Sequence, residues 1–413
     1  MLINFKVKNF RSFKEEIEFS MEAGVGVEEH EESHVRKVGE HELLKSAVLF
    51  GANASGKSNF VKALESLVIL ITDPTHDANE LLFTNMFLGT TENTSYKIQF
   101  IKNSKHYAYL LEVNGNEVVV EKLAIDDEVH FERQKQEFVK VPKKIENNIE
   151  NLRKNQLLLF FAQAQNDSNS IDAYTWFNQD LVFADAPERQ DDMINILRDK
   201  LKSTVFKEKF ISLLKYADLE IVNIDVLERI SPRSMNNECF SMYSTENDVT
   251  LGEYMMWSSV IITHTDNSNL MTMWEESKGT RKFVLALLEL IFNNSIDTKV
   301  IVFDEFNSSF HLELSQALLD LINREKQNNQ FILTTHELSL MDHDLRQDQI
   351  YLTEKNKNGS TELFSLFDFD DPELERDDVS YKRRYLDGRY RGVPIILPGI
   401  MKCILEEEDV ETK

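Results

Sequence analysis

The sequence predicts an α/β fold, with a mixed sheet carrying a glycine-rich loop, an antiparallel β-subdomain and a helical insertion. Three observations predict it. A β-rich run, "KSAVLF", leads through "GANASGKSNF" into the helical period of "SNFVKALESLVILI". A second apolar run, Val300 to Phe303, ends in the adjacent carboxylates Asp304 and Glu305. A third, "FILTT", ends at His336.

In chain order, "INFKVKNFRSF" alternates apolar and polar residues and reads as a strand turning near Asn9 to Phe13, with "EEIEFSM" as its hairpin partner. The strand–loop–helix unit follows. From Tyr96 to Leu123 alternation returns in "YKIQFI", "YAYLLEV" and "NGNEVVVEKL", and Asn114-Gly115 is a strong hairpin-turn signal. A small antiparallel meander is therefore expected after the first helix. From about Lys135 to Glu228 the text is helical and charged, without the sustained heptads of a coiled coil. "WSSVIITHT" resumes the strand pattern, and "WEESKGTRKFVLALLELIF" places a long apolar helix just before the Asp-Glu strand. The expected division is residues 1–134, a first half with the glycine-rich loop and meander, 135–250, a helical insertion, and 251–413, a second half.

Composition narrows the function classes. The 413 residues allow two domains or one with a large insertion, and 42% apolar residues suffice for a real core. The net charge of -25 repels nucleic acid, so any DNA contact has to come from a local basic patch. Acidic runs at Glu28–Glu32, Asp368–Asp378 and Glu406–Glu411 read as solvated faces or tails. The two cysteines, Cys239 and Cys403, have neither pairing pattern nor metal spacing, and no apolar run approaches eighteen residues. A soluble, cytoplasmic chain with no membrane partner is expected.

Gly51, Gly56, Lys57 and Ser58 match G-x-x-x-x-G-K-[ST]. Glycines let backbone N–H groups curl around phosphate oxygens, and the helix N-terminus adds partial positive charge. Lys57 then reaches the outer phosphates and Ser58 holds Mg²⁺. Asp304 suits the Mg²⁺ shell, and Glu305 suits polarising an attacking water. About 250 residues separate the loop from Asp304, far more than the roughly 30 of one βαβ unit, which disfavours single-module GTPases and RecA-like motors. Ser277 and Gly279 precede the long apolar helix, where they offer an anion site, although Ser277 is equally a good N-cap. Lys382, Arg383, Arg384, Arg389 and Arg391 cluster among Tyr381, Tyr385 and Tyr390. Phosphates and bases are one partner for that cluster; an interface or structural role is favoured.

"NFRSF", "GANASGKSN", "ESKGT", "DEF" with "SSFH", "LTTHE", "RQDQIYLTEK" and "YLDGRYRGVP" together resemble the RecF- and SMC-like branch of ATP-binding-cassette ATPases. Within that branch they look like the ATPases of bacterial abortive-infection systems of the AbiL type, similar to the ATPase subunit of defence systems paired with a TOPRIM nuclease. The matching motifs run from Asn9 to Pro394. The resemblance implies an ABC/SMC-like P-loop ATPase head that uses ATP and Mg²⁺. Gly51, Asn53, Ser55, Gly56, Lys57, Ser58 and Asn59 would hold the nucleotide, with Ser58 and Asp304 on the metal. Glu305 would be the general base, and His336 the switch histidine sensing the γ-phosphate. Ser277 and Gly279 would close on ATP bound by a second copy in a head-to-tail dimer or higher homo-oligomer. It further implies a toxin or nuclease effector encoded nearby and a phage protein trigger. Two positions depart from the pattern: Lys278 stands where an acidic residue is expected, and Leu312 follows His311 where proline is expected. Gln163 in "FFAQAQ" is a candidate for the glutamine that links nucleotide to insertion. The rival readings are a RecF-like repair clamp on duplex DNA, which the charge disfavours, and a scaffold that binds ATP and barely hydrolyses it.

Overall fold

The computed structural model describes residues 1–88, 90–217, 221–232, 249–251, 254–264, 270–273, 275–292, 298–308, 310–324, 326–369 and 380–390. Both cysteines, Arg391 and the acidic text after Phe369 lie outside them. Strands β1 (Leu2–Lys8) and β2 (Ile17–Ser20) form the expected antiparallel pair around a tight turn, in which Asn9 and Arg11 take positive φ and Phe10 bridges to Phe13. A short helix, α1 (Glu31–His34), leads into the hairpin β3 (Val35–Val38) and β4 (His41–Leu44). Strand β5 (Ser46–Phe50) is wholly buried and feeds the glycine-rich loop, and helix α2 (Lys57–Thr72) leaves it.

The meander is larger than the sequence suggests. Strands β6 (Thr94–Lys102), β7 (Lys105–Val113), β8 (Val118–Ile125), β9 (Glu128–Gln134) and β10 (Glu137–Lys140) join β1 and β2 in one seven-stranded antiparallel sheet. Asn114 and Gly115 sit in the β7–β8 turn, as their turn chemistry dictates. Between residues 135 and 250 the expected helices form in part: α3 (Leu158–Ala164), α4 (Ser168–Thr175), α5 (Pro187–Lys200) and α6 (Thr204–Tyr216) are present, whereas residues 141–157, read as helical, hold turns and one short 3-10 segment, Ile149–Asn151. The structure adds strands there that the sequence reading lacked. Beyond β10, these are β11 (Leu181–Phe183) and β12 (Ile221–Pro232), the latter pairing with β14 (Tyr254–His264), which also pairs with β13 (Val249–Leu251) and β15 (Leu270–Thr272). Both β11 and β12 owe their conformation to partners distant in sequence.

The second half contributes α7 (Lys278–Phe292), β16 (Val300–Phe303), α8 (Leu312–Asn323), β17 (Gln330–Thr334), β18 (Ile350–Lys355), β19 (Thr361–Ser365) and α9 (Tyr381–Leu386). A six-stranded sheet in the order β11-β16-β17-β5-β18-β19 assembles from both halves, parallel except for the β18–β19 pair. It is covered on both faces, which is why its strands read as continuous apolar runs. On one face Ala47, Leu49, Val300 and Val302 pack into a core shared with α2 and the seven-stranded sheet. On the other, Val48, Phe50, Ile301 and Phe303 pack against α7, α8 and β14. Each of these valine, leucine, isoleucine and phenylalanine side chains contributes roughly 1.5–3 kcal/mol on burial. Phe60 of α2 meets Phe5 and Phe19, at 5.9 and 4.9 Å between ring centroids, and so ties the head of this helix to β1 and β2. Buried Glu121 of β8 accepts the backbone N–H groups of Leu158 and Leu159, fastening the N-terminus of α3 to the meander. Among the described residues no helix is long and apolar enough to cross a membrane.

Candidate nucleotide-binding site

Because β5, β11, β16 and β17 run parallel, Gly51, Asp185, Asp304 and Thr335 all emerge at the carboxyl end of one sheet. That is where open α/β sheets bind ligands. The loop itself demands glycine at two places. Gly51 (φ 154°) has Thr353 Oγ1 2.4 Å from where a Cβ would stand. Gly56 adopts φ 122°, with the Thr361 side chain 2.5 Å from the Cβ position. The loop is backed by β18 and β19: Ser55 Oγ lies 2.5 Å from Thr353 Oγ1, and Thr361 Oγ1 donates to the Ser55 carbonyl at 2.9 Å. Asn53 and Ala54 form its exposed tip.

Lys57 is buried and donates to the carbonyls of Gly51 (2.7 Å) and Ala52 (2.9 Å), so its ammonium lies inside the loop's own concavity. Burial lowers its pKa, while Asp304 and Glu305 oppose the shift. An anion in the cradle would offer this ammonium charged partners in place of two neutral carbonyls. Ser58 Oγ donates to Asp304 Oδ1 at 3.2 Å. The pair supplies a hydroxyl and a carboxylate at the head of α2, an oxygen donor set that fits a hard divalent cation. Asn59 turns the other way and donates to Ser12 Oγ in the turn after β1.

Thr334 Oγ1 at the end of β17 donates to Asp304 Oδ1 (2.6 Å) and accepts the Glu305 N–H (2.8 Å). Lys282 of α7 is buried and donates to the carbonyls of Asp304 (2.9 Å) and Glu305 (2.8 Å). Asp185, two residues past β11, accepts the Asp304 N–H at 3.0 Å and faces Lys282 Nζ at 3.4 Å. Burial lowers the Lys282 pKa and raises that of Asp185, each opposed by the partner's charge. Glu305 has φ 49° and an exposed carboxylate. The network thus joins Ser58, Asp304 and Glu305 from the sequence reading with Thr334, Lys282 and Asp185, which that reading missed. A lysine within an otherwise apolar helix was the available signal for Lys282.

Ser277 and Gly279 stand apart from this network. Ser277 Oγ accepts the Thr280 N–H at 3.0 Å, the N-cap bond that local chemistry favours, and both Ser277 and Lys278 are exposed. His336 is exposed one residue beyond Thr335, whose hydroxyl donates to Asn307 Oδ1. Gln163 lies half-buried near the end of α3, where its carbonyl accepts the Asn166 N–H. In the basic segment, Tyr381, Tyr385 and Tyr390 are buried in the core beneath α9, so none of the three rings is free to stack on a base. Lys382 donates to Ser339 Oγ at 2.7 Å.

A glycine cradle at a helix head, backed by a strand-end carboxylate pair on a sheet closed by both halves of the chain, defines a P-loop ATPase head. The chain belongs to the family described as "AAA domain, putative AbiEii toxin, Type IV TA system", whose model matches residues 46–342. The expected kinship with abortive-infection ATPases holds at that level. Among solved structures, the chain is similar to an Smc head bound to the C-winged helix domain of ScpA, at 11% identity, with 88% of this chain and 97% of that chain covered and a TM-score of 0.44. It is similar to the SMC head domain from Thermotoga maritima, at 15% identity, 88% and 98% coverage and a TM-score of 0.41. A third is the Smc head domain with an extended coiled coil bound to the C-terminal domain of ScpA derived from Pyrococcus furiosus, at 9% identity, 88% and 96% coverage and a TM-score of 0.43. No curated protein matches the sequence.

Proposed function

We propose that this chain binds and hydrolyses ATP with Mg²⁺, and that closure of two copies over the nucleotide controls a partner toxin or nuclease in anti-phage defence. The observation that carries the reading is the convergence of the Lys57 cradle with Ser58, Asp304 and Glu305 at one sheet end. In this reading the N–H groups of Gly51 to Ser58 and the Lys57 ammonium hold the phosphates. Ser58 and Asp304 hold Mg²⁺, which supplies charge neutralisation on the outer phosphates. Glu305 takes the proton of the attacking water, and His336 lies on the adjacent strand end to sense the γ-phosphate. Ser277, exposed at the head of α7, and the half-buried Gly279 meet the nucleotide of a second copy. The family's description names a toxin and a toxin–antitoxin system, which supports an effector as the output of this cycle. Burial of the three tyrosines supports a structural or interface role for the basic segment over stacking on single-stranded bases.

The test combines turnover with assembly. Lys57→Ala is expected to lose ATP binding, whereas Glu305→Gln binds ATP and remains a closed dimer in sedimentation. Ser277→Arg is expected to keep binding by the monomer and lose concentration-dependent turnover. A Glu305→Gln protein that hydrolyses ATP at the wild-type rate removes Glu305 from the base role. Co-purification with the product of the neighbouring gene, with and without ATP, reads the effector part; duplex binding that weakens steeply with salt would favour the DNA clamp instead.

A further inference from the structure

We infer that Lys282, braced by Asp185, is a positioning residue for Glu305, and that it makes the base respond to where helix α7 sits. The inference rests on the ATPase reading above, and concerns residues that neither the loop motif nor the carboxylate pair includes. Glu305 is a non-glycine residue in the left-handed region, φ 49°, a conformation that is strained for a side chain with a Cβ and persists only when its surroundings hold it. Three elements hold it. From β17, Thr334 Oγ1 accepts its N–H. From the end of β11, Asp185 accepts the N–H of Asp304. From α7, Lys282 donates to the carbonyls of both carboxylate residues.

Lys282 therefore grips backbone, and its direction of pull follows α7. That helix carries a second buried charge two turns on. Glu289, 0% exposed, receives a bidentate pair from Arg189 of α5, at 2.5 and 2.9 Å. Lys282 and Glu289 lie seven residues apart on one helix face, and both reach the segment that follows β11. So α7 is pinned to β11–α5 by two ion pairs, and one of them continues into the backbone of Asp304 and Glu305. The N-terminus of α7 bears Ser277 and Gly279, so engagement of that end by a second copy bears on Glu305 through one turn of helix and a single ammonium.

The test uses the full chain with Mg²⁺–ATP. Lys282→Met is expected to lower kcat by about 10- to 100-fold, the scale of a small misplacement of a catalytic group, with ATP affinity within about threefold of wild type. Lys282→Arg, which keeps two donors on a charged head, recovers part of that loss; Asp185→Asn falls between. If Lys282 acts through the Glu305 carboxylate, adding Lys282→Met to Glu305→Gln lowers the residual turnover no further. Should Lys282→Met fail to fold, Lys282→Arg and Asp185→Asn carry the same comparison in both backgrounds. Equal losses with and without the Glu305 carboxylate overturn the inference, as does a Lys282→Met enzyme with wild-type kcat. A wild-type rate in Glu305→Gln alone instead overturns the base assignment, a distinguishable failure.

Discussion

Thr334→Val tests whether the strand-end network, and not the carboxylates alone, is what makes the site competent. The substitution keeps the shape of a side chain with no exposed surface and deletes one hydroxyl. That hydroxyl makes two bonds, donating to Asp304 Oδ1 at 2.6 Å and accepting the Glu305 N–H at 2.8 Å. The bond to the carboxylate is charge-assisted, worth about 1.5–3 kcal/mol, and the other is worth about 1 kcal/mol, so stability should fall by about 2.5–4 kcal/mol. Without its N–H partner, Glu305 loses one of the holds on its left-handed backbone, and relaxation of that backbone swings the carboxylate away. A loss of about 10- to 100-fold in kcat follows, equivalent to roughly 1.4–2.8 kcal/mol. The phosphate cradle lies on β5 and α2 and keeps its contacts, so nucleotide affinity should change by less than about threefold, below roughly 0.7 kcal/mol. Phosphate release at saturating Mg²⁺–ATP, nucleotide titration and urea unfolding report the three quantities separately. Thr334→Ser, which retains both bonds, should stay near wild type in all three. A Thr334→Val enzyme that loses stability yet keeps kcat within twofold of wild type would refute the reasoning, because the hydroxyl would then brace the strand and not the base.

Other perturbations reach different links of the chain. Gly56→Ala forces a Cβ into the Thr361 side chain at a φ of 122°, a strain of about 1–3 kcal/mol, and should weaken ATP binding by roughly 10- to 100-fold. Adding Thr361→Ala relieves the two 2.5 Å contacts but leaves a Cβ at 3.0 Å and the backbone strain, and it deletes the bond to the Ser55 carbonyl, so titration should show only partial recovery. Glu121→Ala leaves the buried Arg133 without its carboxylate and two helix N–H groups of α3 unpaired, which should cost about 3–5 kcal/mol in urea unfolding while ATP affinity of the folded protein is retained. His34 is held neutral in the fold: burial, then His30, Arg346 and Lys45, outweigh the backbone of Asp344 and lower its pKa from 6.5 to about 4. The unfolded chain therefore binds a proton that the folded chain refuses between those values, and stability falls as pH drops from 6.5 toward 4, by at most about 3 kcal/mol from this group. The urea midpoint of His34→Gln should be less sensitive than wild type between pH 7 and 4.5; parallel curves would remove His34 from the acid response.

The parts of the fold legible in the sequence are those whose instructions are local. Gly51 and Gly56 announce a loop because no other residue tolerates those positions, and "VIVF" announces a central strand because both of its faces are buried. Asn114-Gly115 names its own turn. The three residues of β11, by contrast, carry no period at all. Leu181, Val182 and Phe183 become a strand only because Val300 to Val302 of β16 lie alongside, more than a hundred residues away. The alternation of "IVNIDVLERI" in β12 was present but drowned by charged helical text on its amino-terminal side, and its register is set by β14.

The site divides along the same line, and this bears on how its chemistry is built. In the proposed function Lys57, Ser58, Asp304 and Glu305 act through their own side chains, so their types and spacing declare them. Asp185 and Lys282 hold backbone N–H and carbonyl groups of the carboxylate pair, and Thr334 adds to its carboxylate bond the Glu305 N–H; every residue possesses such groups, so no particular side chain at the receiving end marks these three. What does mark Lys282 is its cost. A lysine in the buried stripe of "KGTRKFVLALLELIF" is stable only if partners await it, and Glu289 on the same stripe makes the same demand. Two buried charges of opposite sign on one helix face, each satisfied from the segment just after β11, hold α7 in one position against the sheet. Apolar packing resists sliding of this helix through many weak contacts, and these pairs add a directional constraint, because they lose geometry when it moves. The same contacts that fix α7 therefore make any displacement of it felt at Glu305.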